Sequence, residues 1–283
     1  MIYLNGCFMP LEQATIPVLD RGFIFGDGIY EVIPVYSRQP FRLAEHLHRL
    51  QNSLDGIGLI NPHSVAEWGG LLRDLISFNE GNDQYLYMHI TRGVAKRDHA
   101  FPKVVTPTVF MMSSPLLPPA ADLKANGVTA ITAQDNRWLR CDIKAISLLP
   151  NVLLRQQAVA AGTMEALLLR DGFLTEGSAS NIFVVQNGVL RAPPKNNLML
   201  PGITYDLILE LAAADHIPLQ VGPVAEAVVR GADELWLTSS TREVLPITEL
   251  DGQPVGLGQP GPFFKRMDAL YQNYKATVMR QVV

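Results

Sequence analysis

Cysteine is scarce in this chain of 283 residues. Cys7 and Cys141 stand alone, too few to staple a small secreted domain and without the spacing of a metal site, so no metal is expected. Neither sign of charge dominates: the net charge is -4, Lys and Arg are scattered, and no basic patch invites nucleic acid. Long apolar runs are missing, since nothing approaches the ~20 residues that a membrane helix needs. The start, MIYLNGCFMPLEQ, has no basic stretch leading into an apolar one. These absences lead to the expectation of a soluble chain in a reducing, cytoplasmic interior, and the hydrophobic share of 48% with 18% charged residues suits a globular fold.

Several catalytic signatures are also lacking. No G-x-x-x-x-G-K-[ST] phosphate loop occurs, GFIFGDG at 22–28 lacks the spacing of a dinucleotide fingerprint, and EGSASN lacks the G-x-S-x-G of a nucleophile elbow. His46 and His48 lie two apart on an expected helix and so face different ways.

What is present alternates between strand and helix patterns. Asn5-Gly6 between Ile2–Leu4 and Cys7–Met9 predicts a hairpin, and a second is expected to join Val32–Tyr36 to Phe41–Leu43 through Ser37–Pro40. Leu47, Leu50, Leu54 and Ile57 recur at helical spacing, as do Val65, Trp68, Leu72 and Leu75. Gln84–Thr91 and Thr106–Met112 read as strands. The segment SSPLLPPAADL, 113–123, holds three prolines and two serines and is taken as a linker between domains 1–118 and 119–283. Beyond it, strands are expected at 127–133 and 164–169, a helix at 152–161 closed by Gly162, and further helices at 203–214, 225–230 and 262–280. Asp171-Gly172, Asn187-Gly188 and Asp251-Gly252 mark hairpins. The pattern predicts an α+β fold of two domains with the active site in the interdomain cleft.

Lys144 stands among Ile143, Ala145, Ile146, Leu148 and Leu149, although lysine is among the side chains least often buried. Either its ammonium reaches water along an apolar stem, or an amine is held where chemistry needs it. Glu176-Gly177 falls at a break between strand-like runs, where a carboxylate can face a cleft or simply be a solvated turn. LPGIT, 200–204, opens a helix whose first N–H groups, with the Thr204 hydroxyl, suit an anion, though an ordinary helix start reads the same way. Ser239, Ser240 and Thr241 end a strand as a hydroxyl cluster that fits phosphate oxygens or a strand cap. Arg49 borders a buried helical face, and Arg97 and His99 sit two apart on one loop. The first suits bidentate binding of an anion or a surface ion pair, and the second a carboxylate clamp or a mobile basic loop.

Taken in order, GDGIYE (26–31), HLHRL (46–50), TRGVAKRDHAFP (91–102), DIK (142–144), LTEGSASNIF (174–183), LPGIT (200–204) and TSST (238–241) resemble the fold type IV pyridoxal-phosphate-dependent aminotransferase family across nearly the whole chain. The Arg97-x-His99 loop most resembles the D-amino acid aminotransferases within it. The resemblance implies pyridoxal 5′-phosphate as cofactor and Lys144 as its Schiff-base lysine. It implies Glu176 as partner of the pyridine nitrogen, Leu200 against the ring, and a phosphate cup of Arg49, Ile203, Thr204, Ser240 and Thr241. It also implies that Tyr30, Arg97 and His99 take the substrate carboxylate, with the Arg-x-His loop supplied across a homodimer. The activity so implied is transamination between D-amino acids, such as D-alanine or D-glutamate, and 2-oxo acids, such as 2-oxoglutarate or pyruvate. An L-branched-chain aminotransferase or a 4-amino-4-deoxychorismate lyase of the same fold is the alternative. Ala179, where relatives carry serine, and Tyr205, where many carry arginine, depart from the family pattern.

Overall fold

A computed structural model describes residues 1–280, which gather into two compact units. Met1–Leu117 form the first, together with Ile143–Leu148 and with Met279 and Arg280; Pro118–Asp142 and Leu149–Val278 form the second. No helix among the described residues is long and apolar enough to cross a membrane.

In the first unit, β1 (Ile2–Leu4), β2 (Cys7–Met9), β3 (Gly28–Tyr36), β4 (Gln39–Pro40), β5 (Gln84–Thr91) and β6 (Thr108–Pro115) build an antiparallel sheet in the order β2-β1-β6-β5-β3-β4. The short α1 (Arg21–Phe25) precedes β3, while α2 (Leu43–Gly56) and α3 (Val65–Ser77) cover one sheet face. Strand alternation sends Ile29, Ile33 and Val35 of β3 and Leu86, Met88 and Ile90 of β5 into that core, where they meet Leu50, Leu54, Trp68 and Leu72. Ser64 begins α3 with a reciprocal capping box to Glu67, satisfying helix-end donors that no turn supplies.

The second unit contains α4 (Ala121–Asn126), β7 (Val128–Gln134), α5 (Leu149–Ala160), β8 (Glu165–Arg170), β9 (Phe173–Gly177), β10 (Asn181–Gln186) and β11 (Val189–Ala192). There follow α6 (Ile203–Ala214), β12 (Leu219–Val221), α7 (Glu226–Arg230), β13 (Glu234–Ser239), β14 (Glu243–Leu250), β15 (Gln253–Pro254) and α8 (Pro262–Tyr274). The strands form one mixed sheet, β12-β11-β10-β13-β14-β7-β8-β9, with β15 on β14. Because α5 carries the chain back across the sheet, β7 and β8 pair parallel; the hairpins at Asp171-Gly172, Asn187-Gly188 and Asp251-Gly252 give antiparallel neighbours. All six of those turn residues have positive φ, the conformation that Asn, Asp and Gly tolerate best.

Three expectations are corrected. The strand after β3 is Gln39–Pro40, not Phe41–Leu43, because Ser37 and Arg38 both take positive φ and close a two-residue turn; Leu43 already begins α2. The linker is shorter than 113–123, since β6 runs to Pro115 on the ladder with β5 and α4 begins at Ala121. Lys144 does not belong with the C-terminal half. Residues 143–148 run against the start of β3 through a bridge between Ala145 and Ile29, with Tyr30 N–H donating to the Lys144 carbonyl at 2.9 Å and Ile146 N–H to Gly28 O at 3.1 Å. Ile143 and Ala145 thereby enter the core of the first unit.

Candidate active site

The bridge that Ala145 makes to Ile29 answers the question that Lys144 raises. Alternation buries Ile143 and Ala145 and turns Lys144 the other way, half-buried, with Nζ 4.1 Å from the centroid of the Tyr30 ring. The Lys144 N–H donates to Ser53 Oγ of α2 at 3.2 Å. Tyr30 lies on the sheet face opposite the core, beside Tyr87 at 5.8 Å between rings; Tyr87 Oη in turn pairs with His89 Nδ1 at 2.8 Å. Burial pushes the Tyr87 phenol up to about 12.

One position further along β3, Glu31 points into the core and is wholly buried. Arg49 of α2 meets it through Nε at 2.6 Å and Nη2 at 2.8 Å, and His46 through Nδ1 at 2.9 Å. Burial alone would raise the Glu31 carboxyl, but the Arg49 guanidinium and the His46 hydrogen bond overcome it and hold it well below the usual carboxylate range. Burial lowers His46, so its neutral ring donates from Nδ1 and leaves Nε2, itself buried without a hydrogen-bond partner, as an acceptor. The bidentate anion contact expected of Arg49 is thus made, in this structure, with an internal carboxylate.

Arg97 and His99 are exposed, yet their loop is fixed from beneath. Buried Arg21 reaches the Asp98 carbonyl at 2.6 Å and the Asp27 carboxylate at 2.8 Å, while buried Arg92 holds Asp27 at 2.8 Å and the Ile57 carbonyl at 2.7 Å. Burial acts against the charge of Asp27, but the two guanidiniums together lower its carboxyl. The Phe25 ring lies 5.4 Å from the Arg97 guanidinium and 5.5 Å from the His99 ring, bringing the two expected carboxylate binders around one aromatic side chain.

In the second unit, Glu176 is the next-to-last residue of β9 and is almost completely buried. Arg137 Nη1 pairs with its Oε1, the Leu200 N–H lies 3.3 and 3.2 Å from its two oxygens, and Asn181 Nδ2 lies 3.3 Å from Oε2. Burial pushes the carboxyl up to about 7 against the pull of Arg137. Leu200 is therefore tied to Glu176 through its backbone, and its side chain is half-buried. Two residues on, Gly202 caps α6 without a side-chain hydrogen bond, and a Cβ there would collide with Asn181 Oδ1. Ile203 and Thr204 occupy the first turn, buried, where N–H groups point out of the helix end. Ser240 and Thr241 form the half-buried turn between β13 and β14. The next residue, Arg242, reaches the wholly buried Glu165 at 3.3 Å, and Glu165 also accepts from the Ser178 N–H at 3.0 Å, the Ser178 hydroxyl and the Ser180 hydroxyl at 2.8 Å. One carboxylate thus ties the TSST turn to the EGSASN segment.

The two departures divide. Ala179 is exposed, so a hydroxyl lost there leaves these internal bonds intact. Tyr205 is a core residue, its ring stacked on Phe183 at 5.1 Å and its hydroxyl donating to Pro193 O at 2.7 Å.

Sequence reasoning missed Arg21, Asp27, Glu31, His46, Arg92, Asp135, Arg137 and Glu165. Most are charged residues buried by partners distant in sequence. The one signal for Glu31 is its place on the apolar side of an alternating strand.

Comparison with known proteins gives consistent relatives. A family model described as amino-transferase class IV matches residues 28–250. A D-alanine aminotransferase of Bacillus licheniformis is 40% identical over 272 residues, covering 96% of each chain, and one of Staphylococcus aureus strain MSSA476 is 39% identical over 274 residues, covering 96% of this chain and 97% of its own. Among solved structures, the branched-chain amino acid aminotransferase from Escherichia coli is similar with a TM-score of 0.88 at 26% identity, over 96% of this chain and 92% of the other.

Proposed function

The chain belongs to the class IV aminotransferase family, and from that premise we propose that it exchanges amino groups between D-amino acids, such as D-alanine or D-glutamate, and 2-oxo acids, such as 2-oxoglutarate or pyruvate. The observation that carries this reading is the Arg97-x-His99 loop, anchored by buried Arg21, in a chain whose D-alanine aminotransferase relatives match it over nearly its whole length. The branched-chain structure fits less well, at 26% identity.

The residues present suit pyridoxal 5′-phosphate. Lys144 offers an amine on an apolar segment, Glu176 a buried carboxylate, and the Gly202-capped start of α6 a helix end whose N–H groups favour phosphate. When bound, the cofactor supplies an electrophilic aldehyde and a ring that accepts the electrons left by deprotonation at the substrate Cα. Lys144 Nζ would be the amine that holds the cofactor, and it would also be the group that moves the Cα proton. Glu176 would hold the ring nitrogen in its protonated form. Thr204, the N–H groups at Ile203 and Thr204, Ser240, Thr241 and Arg49 are assigned to the phosphate, and Leu200 to the ring face. Tyr30, Arg97 and His99 take the substrate carboxylate. Fixing that group decides which face of Cα meets Lys144, so chirality follows from geometry.

Assembly as a homodimer and residence in the cytoplasm complete the reading. The exposure of Arg97 and His99 supports the first, and the low cysteine usage, two in 283 residues, supports the second. Separate assays of D- and L-alanine with 2-oxoglutarate test it. Glutamate formation from the D-enantiomer alone is expected, whereas turnover of L-alanine at an equal rate would defeat the assignment.

A further inference from the structure

Arg137 is a buried cation to which none of the preceding roles falls. It sits in the irregular segment after β7, is 7% exposed, and makes its contacts in three directions. Nε and Nη2 clamp Asp135 at 2.9 Å each, Nη2 also reaches the Leu198 carbonyl at 3.1 Å, and Nη1 pairs with Glu176 Oε1. Asp135 is in turn fixed by the Thr175 hydroxyl at 2.9 Å and by Arg170 at 3.1 Å. Arg137 therefore has one position open to it.

The two oxygens of Glu176 are treated differently. Oε1 carries the guanidinium, while Oε2 has long contacts, 3.3 Å from Asn181 Nδ2 and 3.2 Å from the Leu200 N–H. Resting on the assignment of pyridoxal phosphate to this chain, we propose that Arg137, clamped by Asp135, is a positioning residue for the ring nitrogen: by occupying Oε1 it presents Oε2 as a charged acceptor for the ring N–H. The neighbouring charges agree with this. Burial drives the Glu176 carboxyl toward its neutral form, Asp135 pushes the same way, and Arg137 is the cation that opposes both. Arg170 faces Asp135 from β8, and the buried Cys141 thiol, pushed up to about 11 by burial, stays uncharged beside the group.

The test compares two ligands on the full chain freed of cofactor: pyridoxal phosphate, and its analogue in which a carbon replaces the ring nitrogen. The unaltered chain should prefer the natural ligand. In Arg137→Gln that preference should fall about tenfold or more, the scale of a charge-assisted hydrogen bond, while affinity for the analogue changes little. Asp135→Asn, which keeps the side-chain size, should move the preference in the same direction and decides the matter where Arg137→Gln does not fold. A loss equal for both ligands, or an undiminished preference in both variants, overturns the role of Arg137 and leaves the cofactor assignment standing. An unaltered chain that binds neither ligand overturns the cofactor assignment and this inference with it.

Discussion

At the scale of single residues, the chain places its buried charge in closed sets. Glu31, Arg49 and His46 form one such set, and removing Arg49 leaves the Glu31 charge uncompensated in the core. Arg49→Ala should therefore destabilise the cofactor-free chain by about 3–5 kcal/mol, read from urea unfolding. Were Arg49 a phosphate ligand and nothing else, its loss would change stability only with cofactor bound. Tyr205 gives a smaller case. Phenylalanine there keeps the stack on Phe183 but strands the Pro193 carbonyl, a loss of about 1–3 kcal/mol in the same experiment with cofactor affinity unchanged. Candidate residues stood out where chemistry crowds into short motifs, as at Lys144 and Arg97-x-His99. They were not legible where a partner lies far along the chain: Arg137 and Glu176 are 39 positions apart, and nothing local in DNRWLR announces a buried ion pair.

At the scale of elements, period and turn chemistry decided most of what the sequence could tell. Gln84–Thr91 forms β5 because its alternation sends Leu86, Met88 and Ile90 inward, and Val65–Ser77 forms α3 because Trp68, Leu72 and Leu75 share a stripe. The hairpin after β3 was misplaced because Ser37-Arg38 lacks the Asn-Gly or Asp-Gly signal, although both residues take positive φ. Nor could the segment 143–148 reveal its packing. An apolar run with one lysine suits either half of the chain, and hydrogen bonds to Gly28 and Tyr30 decide the matter. The loop after β5 yields a prediction of its own. Arg97→Ala should lower kcat/KM for D-alanine by about 10- to 150-fold, the range for a lost hydrogen bond to a charged group. Because Arg97 is exposed, the unfolding midpoint should hold. Unimpaired D-alanine turnover in that variant would remove Arg97 from the carboxylate trap.

At the scale of the whole molecule, the titrating groups predict opposite pH effects. Asp135 is held at about 2 by Arg137, Arg170 and Thr175 despite burial, and Glu31 and Asp27 are lowered as well. Groups with depressed values stabilise the fold above their unfolded values and lose that stabilisation as pH falls through the folded ones, so the chain should weaken on acidification below about 4. Glu176 works the other way. Its value is raised from 4.5 to about 7, so its contribution is complete below 4.5 and fades as pH climbs through about 7. Urea midpoints of the cofactor-free chain should accordingly lose part of their decline between those two values in Glu176→Gln, and an unchanged profile would deny the shift.

The chemistry assigned to this family member depends on Lys144 and no other amine. The most direct measurement is borohydride reduction of the cofactor-loaded chain followed by peptide mapping. A pyridoxyl label is predicted on the peptide holding DIKAISLLP, at Lys144, in the unaltered chain and on none in Lys144→Ala. A label on another lysine, or none in the unaltered chain, would contradict the account.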